Sequence, residues 1–177
     1  MGVMRKFLNW YGRLGPSHGK TLPPYEHVVQ VGDPTLRKVS ELVPIPSIKS
    51  ESVQKVIKKL ECVLDKYGSL GMSAPQIGVN MRIFVMKHTN KQISYTPKEI
   101  VKSRGMSAVP FTVSYNSEGE ITSKIFKDWP ARIAQHEIDH LDGKLYIDRM
   151  DRKTFSCTCW EEVNLSKGKL VIPFHPE

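Results

Sequence analysis

The stretch DWPARIAQHEIDHLDG, residues 128–143, places two histidines four apart, with a glutamate directly after the first. Residues four apart share one face of a helix, so His136 and His140 can each aim a ring nitrogen at one metal ion. Glu137 lies about 100° further round the helix. It is badly placed to ligate that ion and well placed to move a proton of a water bound to it. The flanks predict the helix: Asp128 as cap, Pro130 in the first turn where its missing N–H costs nothing, and Gly143 as stop. Ile133, Ala134 and Leu141 form an apolar stripe beside the motif, which predicts partial burial. The plain alternative is a surface helix with two solvated histidines. Two histidines also leave a site unfinished, because catalytic zinc takes three protein ligands. The nearby downstream candidates are Asp142, Asp148 and Asp151, which a zincin-like metallopeptidase would need.

Upstream of the motif, FTVSY (111–115) and ITSKIF (121–126) flank NSEGE and predict a β-hairpin. Residues 87–110 are polar and predict an irregular segment. GSLGMSAPQIGVN crowds small residues into a loop that leads to a strand over Arg82 to Met86. Such a loop lets backbone approach a ligand, and Gln76 offers an amide side chain with both donor and acceptor. A plain turn is the bland reading of the same loop. Further upstream, Val53, Val56, Ile57, Leu60, Val63 and Leu64 recur at helical spacing, with Ser50 or Ser52 to cap and Gly68 to stop. HVVQV predicts a short strand. Downstream, KLYIDRM predicts an extended segment, while FSCTCWEEV and KLVIPF read as strands. The whole is α+β: antiparallel strands around a motif-bearing helix, with one further amphipathic helix nearer the N-terminus.

The chain has 177 residues, 40% hydrophobic and 25% charged, which suits one domain over 25–177. No apolar run approaches membrane-spanning length. The formal net charge of +8 fits an anionic partner or plain solvation, but no specific nucleic-acid signature accompanies it. Residues 1–24 carry Arg5, Lys6, Arg13 and Lys20 and no acid, and their last ten, GPSHGKTLPP (15–24), are a Gly/Pro linker. That composition predicts an organelle-targeting segment, mitochondrial in character. Lys6 stands where a myristoylation signal needs Ser or Thr. Three cysteines, Cys62, Cys157 and Cys159, do not make a disulfide framework. Cys157 and Cys159 read as idle thiols on a strand, with metal binding as the sharper alternative.

GMSAPQIG (71–78) together with QHEIDHLDG (135–143) resembles the peptide deformylases. That family carries a Gly-φ-x-Ala-Pro-Gln loop, a Glu-Gly-Cys-φ-Ser strand and a Gln-His-Glu-x-x-His helix. VGDPTLR (31–37) and GKLYIDRM (143–150) extend the resemblance, which covers most of residues 27–162. Ser69 departs mildly, standing where many members have glycine. The resemblance implies a hydrolase that removes the formyl group from N-formylmethionyl nascent peptides, near ribosomes, in the mitochondrial matrix. It implies His136 and His140 as ligands of one Fe2+ or Zn2+, Glu137 as general acid–base, and Gln76 as oxyanion donor. It implies Gly71 as a backbone contact to substrate, with Trp129 and Ile133 lining the methionine pocket. Core packing is the plain alternative for those last two.

The family's third ligand is the cysteine of Glu-Gly-Cys, and no such stretch stands here. EGEIT (118–122) imitates it, with Glu120 in the cysteine's place. Either Glu120 substitutes, or this is an ordinary hairpin and the cysteine strand is missing between PFTV and SYNSEG. The turn chemistry of Asn116 to Gly119 favours the hairpin. Cys157 and Cys159 are the other possible substitutes. A catalytically impaired, deformylase-like protein that binds nascent peptides or ribosomes is the alternative function.

Overall fold

The computed structural model describes residues 21–88, 91–101 and 111–171. The expected targeting segment lies outside them up to residue 20. Helix α1 spans Glu51–Lys66. The Ser50 hydroxyl caps it by accepting the Val53 N–H, Glu51 stands in the first turn and Lys66 in the last, each matched to the helix dipole. All six apolar residues of the expected stripe are buried. At about 1.5–3 kcal/mol for each fully buried side chain, this stripe is what holds α1 in place. Gly68, at φ +60°, ends the helix in a conformation that side chains with a Cβ resist.

Five strands form one antiparallel sheet in sequence order: β1 Gly71–Ser73, β2 Phe84–His88, β3 Lys91–Val101, β4 Phe111–Tyr115 and β5 Ile121–Ile125. The motif helix, α2, spans Asp128–Leu141. The alternation of a strand decides what packs where. Ile83 and Val85 face the α1 cluster with Met72, Ala74 and Ile77. Phe84 and Met86 face the other way, onto Ala134, Ile138 and Leu141 of α2. One strand therefore fixes the motif helix on one face and the scaffold helix on the other. Arg82 ties the far end: its guanidinium donates to the Leu141 carbonyl (3.2 Å) and pairs with Asp142 (3.0 Å). Among the described residues, no helix is long and apolar enough to cross a membrane.

The α+β architecture and the β4–β5 hairpin stand as expected, with Phe111 opposite Ile125 and Tyr115 opposite Ile121. Several local expectations need correction. Residues 91–101 are a strand, because β2 and β4 supply hydrogen-bonding partners on both sides of a polar sequence. The expected strand 82–86 begins two residues later. HVVQV is not a strand; it runs beside the turn at 74–77, with Val29 N–H donating to the Gln76 carbonyl (2.9 Å). KLYIDRM contains a single 3-10 turn, Tyr146–Asp148, closed by Asp148 accepting the Leu145 N–H (2.8 Å). FSCTCWEEV finds no strand partner among the described residues and instead turns into a short helix, α3, Trp160–Leu165. KLVIPF is irregular to residue 171, and its last three residues lie outside the described ones. Asp128 does not cap α2. It is the first helical residue, at φ +53°, and Lys127 occupies the cap position without a side-chain bond.

Candidate active site

The site forms where β1, the 3-10 turn Ala74–Ile77 and α2 meet. Ser73 begins the turn and is fully buried. Its N–H and hydroxyl both donate to Gln76 Oε1, at 2.7 and 2.9 Å. Its oxygen engaged twice, Gln76 lines the cleft with its Nε2 donors outside that bond. The loop's chemistry thus rests on Ser73, the hydroxyl in GMSAPQ that the sequence reading passed over. A hydroxyl next to the Ala-Pro-Gln turn was the available signal.

Glu137 sits on the inward face of α2, 2% exposed. Burial pushes its carboxyl up to about 8, opposed by the adjacent Ser73 hydroxyl, whose one proton is shared between Glu137 and Gln76 Oε1. Its Oε2 is buried with no hydrogen-bond partner among the described residues. An unpartnered buried carboxylate oxygen calls for a water or ligand at that spot. Gly71 lies against the other oxygen. A Cβ built there would stand 2.5 Å from Glu137 Oε1 and 2.8 Å from Ile133 Cγ2, so glycine is required by contact.

His136 and His140 project from the same helix with their Nε2 atoms 3.1 Å apart and their rings nearly perpendicular, at 83°. Two imidazoles on one tetrahedral ion at zinc–nitrogen distances of about 2.0–2.1 Å would place these atoms about 3.3 Å apart. His140 is buried, and its pKa falls to about 4 through burial and the neighbouring His136, with Asp139 opposing. It is therefore neutral at physiological pH, the form that ligates metal. His136 is exposed, which leaves the pair open to solvent. The pair fits one edge of a divalent metal site.

The rest of that site is not assembled. Among the described residues, no group of three His, Cys, Asp or Glu converges. All three cysteines are described, and none joins the histidines. Glu120 is held in the hairpin turn by Asn116 Nδ2 (2.9 Å), which settles EGEIT as a turn and not a substitute motif. The downstream aspartates are also committed elsewhere. Asp142 pairs with Arg82 and Lys144, Asp148 with Arg37, and Asp151 caps residues 152–154. His140 Nδ1, which in metal sites usually donates to a carboxylate or carbonyl, is buried without a partner among the described residues.

Two hollows meet at this point. A cleft of about 430 Å³ is lined by Ser69, Leu70, Gly71, Trp129, Arg132 and Ile133, with Gln76, His136 and Glu137 at its floor. A smaller apolar hollow, about 210 Å³, lies on the other side of Gln76 and the histidines, walled by Val28, Val29, Leu36, Leu145, Tyr146 and Ile147. The structure thus brings together the residues that the resemblance implied for the site, Gly71, Gln76, Trp129, Ile133, His136, Glu137 and His140, and leaves every proposed third ligand outside it. Trp129 is 60% exposed, so it lines the rim and does not pack in the core. Arg132, exposed on the same rim, was not foreseen.

Comparison with known proteins follows the same residues. The polypeptide deformylase family model matches in two blocks, residues 25–109 and 107–156. The chain is 31% identical over 185 positions to peptide deformylase 1A, chloroplastic, of Solanum lycopersicum, covering 82% of this chain and 66% of that protein. It is 29% identical to the mitochondrial peptide deformylase of Homo sapiens, covering 85% of this chain and 76% of that protein. Among solved structures, a Thermotoga maritima peptide deformylase superposes with a TM-score of 0.64 at 27% identity, over 72% of this chain and 98% of that one. The tomato alignment spans 185 positions but uses 82% of 177 residues, or about 145, so about 40 of its positions have no counterpart here. The two blocks meet at 107–109, a few residues before the break expected between PFTV and SYNSEG. The loop, the histidine helix, the fold and the two-block match agree, and the chain belongs to the polypeptide deformylase family.

Proposed function

We propose that this chain is a metal-dependent hydrolase that removes the formyl group from N-terminal formylmethionine of newly made organellar proteins. The observation that carries the reading is Glu137: a buried carboxylate with an unpartnered oxygen, between a convergent histidine pair and the oriented amide of Gln76. Fe2+ or Zn2+ held by His136 and His140 would supply Lewis-acid polarisation and an acidified water. Glu137 accepts a proton from the attacking water and delivers it to the departing amine nitrogen. Gln76 Nε2 donates to the carbonyl oxygen as charge builds there. The main chain at Gly71 runs beside the substrate, while Trp129 and Ile133 offer apolar surface to the methionine side chain. The basic segment at residues 1–24 and the organellar relatives support a mitochondrial matrix location.

A specific observation favours a second reading. Neither a third ligand nor a partner for His140 Nδ1 stands among the described residues, and about 40 positions of the tomato relative are missing. A chain that keeps the cleft while losing metal affinity is a nascent-peptide or ribosome-binding protein of deformylase descent.

Formate release from a formyl-Met tripeptide, with anaerobically prepared protein and added Fe2+ or Zn2+, separates the two. Activity above a Glu137→Ala blank supports the hydrolase. A folded chain that binds the formylated peptide and releases no formate supports the binding protein and overturns the enzyme.

A further inference from the structure

The sequence places Cys157 and Cys159 just beyond the family-matched residues, which end at 156. The structure corrects their expected setting: they are on a turn, not a strand. The Trp160 N–H donates to the Cys157 carbonyl at 3.1 Å, closing a four-residue turn with cysteines at its first and third positions. That turn brings the sulfurs to 3.2 Å, in mutual hydrogen bond, with Cys157 exposed and Cys159 half-buried. Forming a disulfide would require them to close by about 1 Å, to about 2.05 Å.

We propose that Cys157 and Cys159 form a redox-active dithiol that a peroxide oxidises to an intramolecular disulfide. The two sulfurs have different parts. The Cys157 sulfur accepts both the Cys159 S–H and the Cys159 backbone N–H, which stabilises its thiolate and lowers its pKa. Cys159 keeps its proton, and its pKa is raised by the same bond. Cys157 is thus the attacking thiolate. It displaces hydroxide from the peroxide O–O bond and becomes a sulfenic acid. The Cys159 sulfur then attacks the sulfenic sulfur, a disulfide forms, and water leaves. Two electrons pass from the thiol pair to the peroxide. Cys62, exposed and alone on α1, is the internal control.

The test treats the reduced full-length chain with one equivalent of hydrogen peroxide, then alkylates and maps its tryptic peptides. The expected product is peptide 154–167 short of two hydrogens and closed to alkylation, while peptide 60–66 still carries an alkylated Cys62. Cys157→Ser should slow thiol loss at 154–167 at least about tenfold, because the lowered-pKa sulfur is gone. Cys159→Ser should leave a sulfenic acid at Cys157 that dimedone traps. Both substitutions are on an exposed turn, and circular dichroism checks the fold of each. Peptide 154–167 remaining fully alkylatable, Cys62 reacting as fast as Cys157, or disulfides forming only between chains would each overturn the dithiol.

Discussion

Gly71→Ala puts one methyl group where the cleft has no room. The added carbon would stand 2.5 Å from Glu137 Oε1, 2.9 Å from Glu137 Cδ and 2.8 Å from Ile133 Cγ2. Ordinary contact begins at about 3.5 Å, so the carboxylate must retreat by about 1 Å. Glu137 is enclosed on α2 and bonded to Ser73, so it cannot simply swing into solvent. A misplacement of about 1 Å at reacting atoms costs on the order of a hundredfold in rate. Overpacking of this kind destabilises a fold by about 1–3 kcal/mol, less than a typical total of about 5–15 kcal/mol, so the variant should remain folded. The assay is kcat/KM for formate release from a formyl-Met tripeptide, alongside urea midpoints for both proteins. In a chain that binds the peptide without turnover, peptide affinity reads the same clash. Retention of parental turnover or affinity within about threefold, which is far from the hundredfold expected for such a displacement, would refute the placement of Glu137 against Gly71.

Three further outcomes are expected. Titration against a chromophoric chelator should show one Zn2+ bound through His136 and His140, lost in His136→Ala and His140→Ala. Its affinity should be at least about 100-fold below that of a relative with the full Glu-Gly-Cys motif, since losing even an outer-shell partner costs 10–100-fold; equal affinity would show that another ligand completes the site. Ile138→Ala should cost about 2–5 kcal/mol in urea unfolding, because Ile138 is fully buried between α2 and β2. An effect within experimental error would contradict that packing. Asp148 is held below the usual carboxylate range by its bond to the Arg37 guanidinium and then by the Leu145 N–H. The unfolded chain therefore takes up this proton more readily than the folded one. The contribution is present above the ordinary carboxylate pKa and is lost as pH falls through the depressed value. Asp148→Asn should flatten that part of the acid-unfolding curve; an unchanged curve would show that the bond carries no stability. The effect should be small and salt-sensitive, because the pair is exposed.

The parts of this protein that were legible in its sequence are those governed by local periodicity. The stripe from Val53 to Leu64 predicts α1, and the flanks of HEIDH predict α2 with His136 and His140 on one face, because spacing along one helix fixes which side chains share a face. Turn chemistry was equally readable: Asn116 to Gly119 specifies a hairpin whichever strands flank it. The misreadings share a cause. Residues 91–101 are mostly polar, with an alternation no longer than Ile93 and Tyr95, and become a strand because β2 and β4 lie on either side. Residues 155–163 look like a strand by composition, yet no strand among the described residues pairs with them, and the backbone closes on itself in a turn and a short helix.

The candidate site divides the same way. By itself, the sequence determined the set of candidate site residues, because donor type and helical spacing are local properties. Tertiary structure alone decided that Ser73 orients Gln76 and touches Glu137, that Gly71 must have no side chain, and that Glu120 and the three cysteines stand apart from the histidines. Those facts depend on how a strand, a turn and a helix far apart in the chain are packed together. No pattern within any one segment encodes the distance between them.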